Sequence, residues 1–240
     1  MVAVDRVDST QRLARTLLDR HLAEDETPRP FVVVAEAQSA GRGRQGRSWR
    51  SGAGQGVWAS FVLELDAPRA QSLPMRVAVA LATAVNAVLG AETCRLKWPN
   101  DLVVGRAKLG GLLIDAVTRP DGVVWAVVGY GLNHEQPAGE LPAGEAVSLR
   151  LAAGGRPLPT PAELLARAQT EVCSELSSET TGWLERYRAL SVHRSGDRIV
   201  CDLPEGRLEG RFAGFDALGF LVVETGTGAR TVRSGEVFAW

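Results

Sequence analysis

Lysine is almost missing from this chain: Lys and Arg together number 27, and only Lys97 and Lys108 are lysine. Cysteine is scarce too, and the three present, Cys94, Cys173 and Cys201, lie far apart with no paired spacing. That excludes a disulfide framework and a zinc site, and leaves reduced, buried thiols as the expectation. Three scattered histidines, His21, His134 and His193, give no basis for a histidine metal site or for a nucleophile activated by histidine. Long hydrophobic runs are lacking. The most apolar stretch, residues 77 to 89, carries Thr83 and Asn86 and reads as too short to cross a bilayer. The first residues, M-V-A-V-D-R-V-D-S-T, show no basic start followed by an apolar run, so the expected location is cytoplasmic, with no membrane partner. A formal net charge of −1 offers no general attraction to nucleic acid. What is present, 45% hydrophobic and 23% charged residues over 240 positions, suits one large core with room for a small appendage.

The scarcity of lysine draws attention to the two that remain. A high-GC codon bias would shift generic positive charge to arginine and leave lysine where a compact, rotatable ammonium is needed; chance would leave two lysines somewhere as well. Lys97 opens K-W-P-N-D-L and Lys108 opens K-L-G-G-L-L-I-D.

The pattern reads as an α/β unit followed by a change of style. Asp8 or Ser9 caps a helix running to about Leu22, with Leu13, Leu17, Leu18 and Leu22 on one face, and residues 31 to 37 form a buried strand. Residues 57 to 65 alternate as a strand, Leu73-Pro74 starts an Ala-rich helix ending at Gly90, and residues 94 to 98 begin another strand. Runs at 102–104, 109–117 and 123–130, separated by turn residues, predict an antiparallel meander. Polar sequence from 134 to 161 leads to helices near 162–176 and 182–190. Beyond Ser195, runs at 199–203, 208–215, 220–224 and 231–238 predict a small β-barrel. The resulting division is 1–191 and 192–240.

The loop after the buried strand carries the strongest chemical signal. A-G-R-G-R-Q-G-R-S-W-R-S-G-A-G-Q-G, residues 40 to 56, holds six glycines, four arginines and Trp49. Glycines let backbone N–H groups approach anionic oxygens, arginines supply forked donors, and Trp49 offers a face for a base. Gly41, Gly43 and Gly46 match G-x-G-x-x-G, but that dinucleotide fingerprint has to open a helix, and further glycines follow here. No G-K-[ST] follows either. Composition alone also fits a solvated flexible loop. In K-W-P-N-D-L, Pro99 stops a strand and projects Asn100 and Asp101 from a turn, and the hairpin through Gly105 brings Lys108 back beside them. An ammonium and a carboxylate in one pocket suit adenylate formation, with the carboxylate holding Mg²⁺ and the ammonium stabilising the α-phosphate. Taken alone, the segment reads equally as a turn with two solvated lysines. V-G-Y-G-L-N, 128 to 133, ends a strand and fits tight packing as readily as a site.

Together, D-S-T (8–10), E-A-Q-S-A-G-R-G-R-Q-G-R-S-W (36–49), K-W-P-N-D-L (97–102), K-L-G-G-L-L (108–113) and G-Y-G-L-N (129–133) resemble the biotin protein ligases over most of residues 1 to 190. The resemblance implies an α+β fold with a mainly antiparallel mixed sheet and flanking helices, like class II aminoacyl-tRNA synthetases, plus a small SH3-like C-terminal barrel. It implies activation of biotin by ATP and Mg²⁺ to biotinyl-5′-adenylate, then transfer to a lysine of a biotin carboxyl carrier domain. By the same resemblance, Ser9, Thr10, Gln11 and Gln38 meet the biotin ring. Arg42, Gly43 and Arg44 meet biotin and phosphate; Arg47, Trp49, Lys97, Asn100 and Asn133 serve the nucleotide. Lys108, Arg44 and Asp101 form the catalytic set, with Asp101 near Mg²⁺. Gln11 stands where the family usually has Asn, and Gln45 where a basic residue is frequent. Only seven residues precede Asp8, so a DNA-reading helix-turn-helix, carried by some relatives, is not expected. A homodimer stays open.

Adenylation turns a poor acyl donor into one with a good leaving group, and the enzyme's task is to suppress repulsion between two anions. The second step needs no protein nucleophile, in agreement with the lack of a Ser, Cys or His constellation. The glycine loop is expected to order over the ligand as a lid. Two alternatives share parts of this reading: a lipoate-type protein ligase of the same fold, and a non-catalytic biotin or nucleotide sensor.

Overall fold

Two stretches, Gly56–Leu65 and Val124–Asn133, carry apolar residues at odd and even positions alike, so as strands they need cover on both faces. The computed structural model, which describes residues 1–24, 26–177, 182–204 and 206–239, provides it. Its elements are β1 (Val2–Val7), α1 (Thr10–Ala23), β2 (Phe31–Gln38), β3 (Gly56–Leu65), α2 (Ala67–Leu89), β4 (Cys94–Lys97), β5 (Asp101–Val104), β6 (Ala107–Thr118) and β7 (Val124–Asn133). Then come α3 (Leu149–Ala153), α4 (Pro161–Ser177), α5 (Trp183–Leu190), β8 (Arg198–Leu203), β9 (Gly206–Phe215), β10 (Leu221–Thr225), β11 (Gly228–Val232) and β12 (Glu236–Ala239).

The first seven strands form one mixed sheet in the order β1-β2-β3-β7-β6-β5-β4, parallel between β1 and β2 and antiparallel elsewhere. Side-chain alternation divides its faces. On β7, Ala126, Val128, Tyr130 and Leu132 enter the larger core with α2, α4 and α5, whereas Trp125 and Val127 pack with Ala14 and Leu18 of α1 on the other face. The next odd positions along β7 are Gly129 and Gly131, so between Val127 and Asn133 the strand gives the α1 face no side chain to fill it. A hollow opens there.

Several expectations shift. Strand β1 was not anticipated, although V-A-V-D-R-V alternates. The long helix starts at Ala67 rather than at Leu73-Pro74, because the Asp66 carboxylate accepts the Arg69 N–H at 2.8 Å and Pro68 fits the first turn; Pro74 sits inside and forfeits a ladder bond. At 23 residues α2 is long and apolar enough to span a membrane by composition, yet 72% of its most apolar window is buried in the fold. Cys173 is exposed on α4, while Cys94 and Cys201 are buried. The C-terminal strands form an antiparallel sheet in the order β11-β10-β9-β8-β12, with β11 and β12 at opposite edges and no closed barrel. Residues 231 to 238 supply two strands because Ser234 and Gly235 break the run. This sheet shares the larger core through Ile199, Phe212 and Phe215, and Phe215 meets Tyr187 of α5 edge-on at 5.1 Å.

Candidate functional site

The hollow on the α1 face is a cavity of about 870 Å³, and every site residue named from the sequence borders it. Its inner end is polar and buried. Ser9, Thr10 and Gln11 at the start of α1 are each 3% exposed or less. Gln38 Oε1 accepts from the Thr10 N–H at 2.8 Å and the Thr10 hydroxyl at 3.2 Å, and Gln38 Nε2 donates to Ser51 Oγ at 2.7 Å. The Ser9 hydroxyl is buried with no hydrogen-bond partner. A buried hydroxyl left unmade is costly, so it marks a place for a polar ligand atom. Gln11 spends its Nε2 on the Val127 carbonyl and Asp115.

The middle of the cavity is charged. Lys108 Nζ lies 2.6 Å from Asp101 Oδ1 and 5.3 Å from the Trp49 ring centroid, and Lys97 Nζ lies 3.9 Å from Asp101 Oδ2. Burial pushes the Lys97 ammonium below its ordinary pKa, with Lys108 and Arg47 adding to the shift and Asp101 opposing it. Arg44, also pushed down by burial against the pull of Asp101, donates from Nη1 to Asn100 Oδ1 at 3.0 Å. Asn100 is itself held by donating Nδ2 to the Leu112 carbonyl at 2.8 Å. Glycine makes this crowding feasible. A Cβ on Gly131 would stand 2.9 Å from the Trp49 indole, and one on Gly111 would stand 3.3 Å from Lys108 Nζ.

The arginine loop covers the cavity as a folded hairpin. Trp49 N–H donates to the Gly41 carbonyl and Gly43 N–H to the Arg47 carbonyl, around a single 3₁₀ turn at Arg44–Gly46 in which Gln45 takes φ 56°. Gln45 borders the cavity, and its Oε1 accepts from Arg47 Nη2 at 3.3 Å. Arg47 turns away from the cavity centre and pairs with Glu236 of β12. The loop's end is stitched to the segment after β7: the Gln55 carbonyl accepts the His134 and Glu135 N–H groups, each at 2.9 Å. Asn133 donates to the Val147 carbonyl and accepts from Gln136, so it anchors that segment. Sequence reasoning missed Ser60 and Glu236, which stand on strands without any motif to mark them, and gave no role to Asp115, which closes the K-L-G-G-L-L-I-D run.

Four carboxylates, Asp101, Glu140, Glu145 and Glu236, border this cavity with six cations, Arg42, Arg44, Arg47, Arg50, Lys97 and Lys108, and among the described residues no group of three His, Cys, Asp or Glu could hold a metal. That suits Mg²⁺ delivered with a nucleotide rather than a resident ion, since Mg²⁺ commonly uses one or two carboxylates together with phosphates and water.

The sequence profile of the biotin/lipoate A/B protein ligase family matches residues 3–133. The chain belongs to this family. The biotin protein ligase C-terminal domain profile matches residues 196–240. The bifunctional ligase/repressor of Bacillus subtilis is 30% identical over 97% of this chain and 72% of its own length. The biotin--[acetyl-CoA-carboxylase] ligase of Mycobacterium tuberculosis is 32% identical over 86% of this chain and 77% of its own. A biotin protein ligase from Aquifex aeolicus, solved in complex with biotin and ATP, superposes with a TM-score of 0.77 over 99% of this chain and 97% of its own. At 24% identity that likeness speaks for the fold.

Proposed function

We propose that the chain is a biotin protein ligase, which activates biotin with ATP to biotinyl-5′-adenylate and passes the biotinyl group to a lysine of a biotin carboxyl carrier domain. The observation that carries this is the placement of Lys108 and Asp101 in one cavity with the polar Ser9–Thr10–Gln38 end. A ring with polar edges suits that end; its carboxylate then reaches the ammonium.

In the first step a biotin carboxylate oxygen attacks the α-phosphorus and pyrophosphate leaves. Ser9, Thr10 and Gln38 hold the ring, while Lys108, Arg42, Arg44 and the Gly43 backbone offset the charge of the two anions. Trp49 walls the space that the nucleotide enters, next to Lys97 and Asn100. Asp101 would hold Mg²⁺, which supplies charge neutralisation to the phosphates. Asn133 and Gln11 support the walls, and Arg47 is available to phosphate on release from Glu236. In the second step the carrier's amine attacks the anhydride carbonyl and AMP leaves, so no protein nucleophile is required.

A lipoate-type ligase would share this fold, but the Ser9, Thr10 and Gln38 side chains at the inner end favour a ring with hydrogen-bonding edges. We place the reaction in the cytoplasm, in keeping with buried thiols at Cys94 and Cys201, and leave DNA out of the function, in keeping with the net charge of −1. Incubation with biotin, MgATP and a carboxyl carrier domain, followed by mass spectrometry of the carrier, tests the reading. Addition of one biotinyl group is expected; an unmodified carrier with no pyrophosphate released would refute it.

A further inference from the structure

The wall behind Thr10 is a continuous hydrogen-bonded chain that ends on a carboxylate with no task in the reaction above. Gln11 reaches from α1 toward β6 and β7, placing Nε2 2.9 Å from the Val127 carbonyl and 3.0 Å from Asp115 Oδ2. Both partners accept only, so the amide seats one way round. Its Oε1 thereby faces the Ser60 hydroxyl, 3.1 Å away, and has to accept from it.

Ser60 is fully buried and has one proton to give. Its oxygen also lies 3.0 Å from Thr10 Oγ1. Donation to Thr10 would leave Ser60 Oγ and Gln11 Oε1 facing each other as two acceptors, so the proton belongs to Gln11. The Thr10 proton in turn has two takers within the wall, Ser60 Oγ and, at 3.2 Å, Gln38 Oε1. What remains for Thr10 to show the cavity is lone pairs. Gln11, one methylene longer than the Asn usual in the family, spans this distance, and the missing Cβ of Gly129, which would stand 2.7 Å from Oε1, leaves it room.

The geometry points to Asp115 as a positioning residue for substrate selection: through Gln11 and Ser60 it holds Thr10 in the acceptor sense, so the site takes a ring bearing N–H donors. A cyclic urea satisfies such a wall, and a ring without N–H leaves it unpaired. This rests on the biotin reading above.

Biotin-dependent pyrophosphate release by the wild type comes first; if it is absent, the proposed function fails and not this inference. With an active wild type, Asp115→Ala is expected to raise KM for biotin about tenfold with kcat and the KM for ATP held, and Asp115→Glu to restore part of the loss. Calorimetric titration with biotin and with an analogue carrying oxygen in place of both ring N–H groups gives the second readout. The wild-type preference for biotin is expected to narrow about fivefold or more in Asp115→Ala. Either readout staying at the wild-type level overturns the inference and leaves the ligase reading intact. If melting shows that Asp115→Ala does not fold, Gln11→Met, which keeps the volume and loses both donors, carries the same two expectations.

Discussion

Lys108 reaches Asp101 because β5 and β6 slip register between them. Leu102 pairs with Gly110 but Val103 pairs with Lys108, so Leu109 is the extra residue of a bulge. Regular alternation would send Lys108 to the face opposite Gly111. The bulge resets the alternation: Leu109 and Leu112, at odd and even positions, both enter the larger core, and Lys108 joins Gly111 on the cavity side. A one-residue irregularity thus aims the ammonium.

Lys108→Arg keeps the charge and changes the shape. The planar fork cannot occupy the slot between Asp101, Trp49 and Gly111, so adenylation is expected to fall on the order of a hundredfold, about 3 kcal/mol of transition-state stabilisation. Pyrophosphate release measures it, and thermal melting should be nearly unchanged. Near-normal turnover would show that any cation suffices.

Gly131→Ala places a methyl 2.9 Å from the Trp49 indole. The indole has to move, and with it one wall of the charged end. We expect KM for ATP to rise about tenfold or more, while stability drops by no more than about 1 kcal/mol because β7 keeps its ladder. Steady-state kinetics with denaturant unfolding separates the two effects.

His193 gives a pH signature. Its Nε2 accepts the Trp98 N–H at 3.2 Å, it is 3% exposed, and burial first, then Lys97 and Arg194, push its pKa down to about 4, against Asp197. A base whose folded-state pKa lies below its unfolded value of about 6.5 takes up its proton on unfolding. Its contribution is therefore full above pH 6.5 and is lost as pH falls toward 4, up to about 3 kcal/mol. Unfolding of wild type and His193→Asn at pH 7 and 4.5 should show a steeper acid loss for the wild type; equal slopes would remove His193 as the cause.

Arg47 and Glu236 join the loop to the last strand. Because the pair is partly exposed, Glu236→Ala should barely move the melting temperature. Trypsin cleavage after Arg47 should instead become severalfold faster, and biotin with ATP should slow it in both proteins. Unchanged cleavage would detach the loop from β12.

Elements with a strong local signal were legible in the sequence: α1 from its leucine face, the β5–β6–β7 meander from its turn residues, and the arginine loop from its glycines. The start of α2 was misread because proline marks a first turn statistically, and here Asp66 and Pro68 outcompete Pro74 for that role. Lys97 and Lys108 stood out in the sequence because lysine occurs nowhere else in the chain. The roles of Ser60 and Asp115 were not legible, since a hydroxyl or a carboxylate on a strand does not reveal its partner; only the sheet register brings them to Gln11. Nor does any local pattern foretell the pairing of Arg47 with Glu236, because it depends on how two sheets share one core.

That last contact gives the enzyme a temporal order. A ribosome has released Ser9, the arginine loop and Lys108 long before it reaches Glu236 and Val237, which complete the wall of the cavity. A chain that stops short of β12 therefore holds an unfinished vessel for a water-sensitive anhydride, and the loop gains its anchor only once Glu236 has been made.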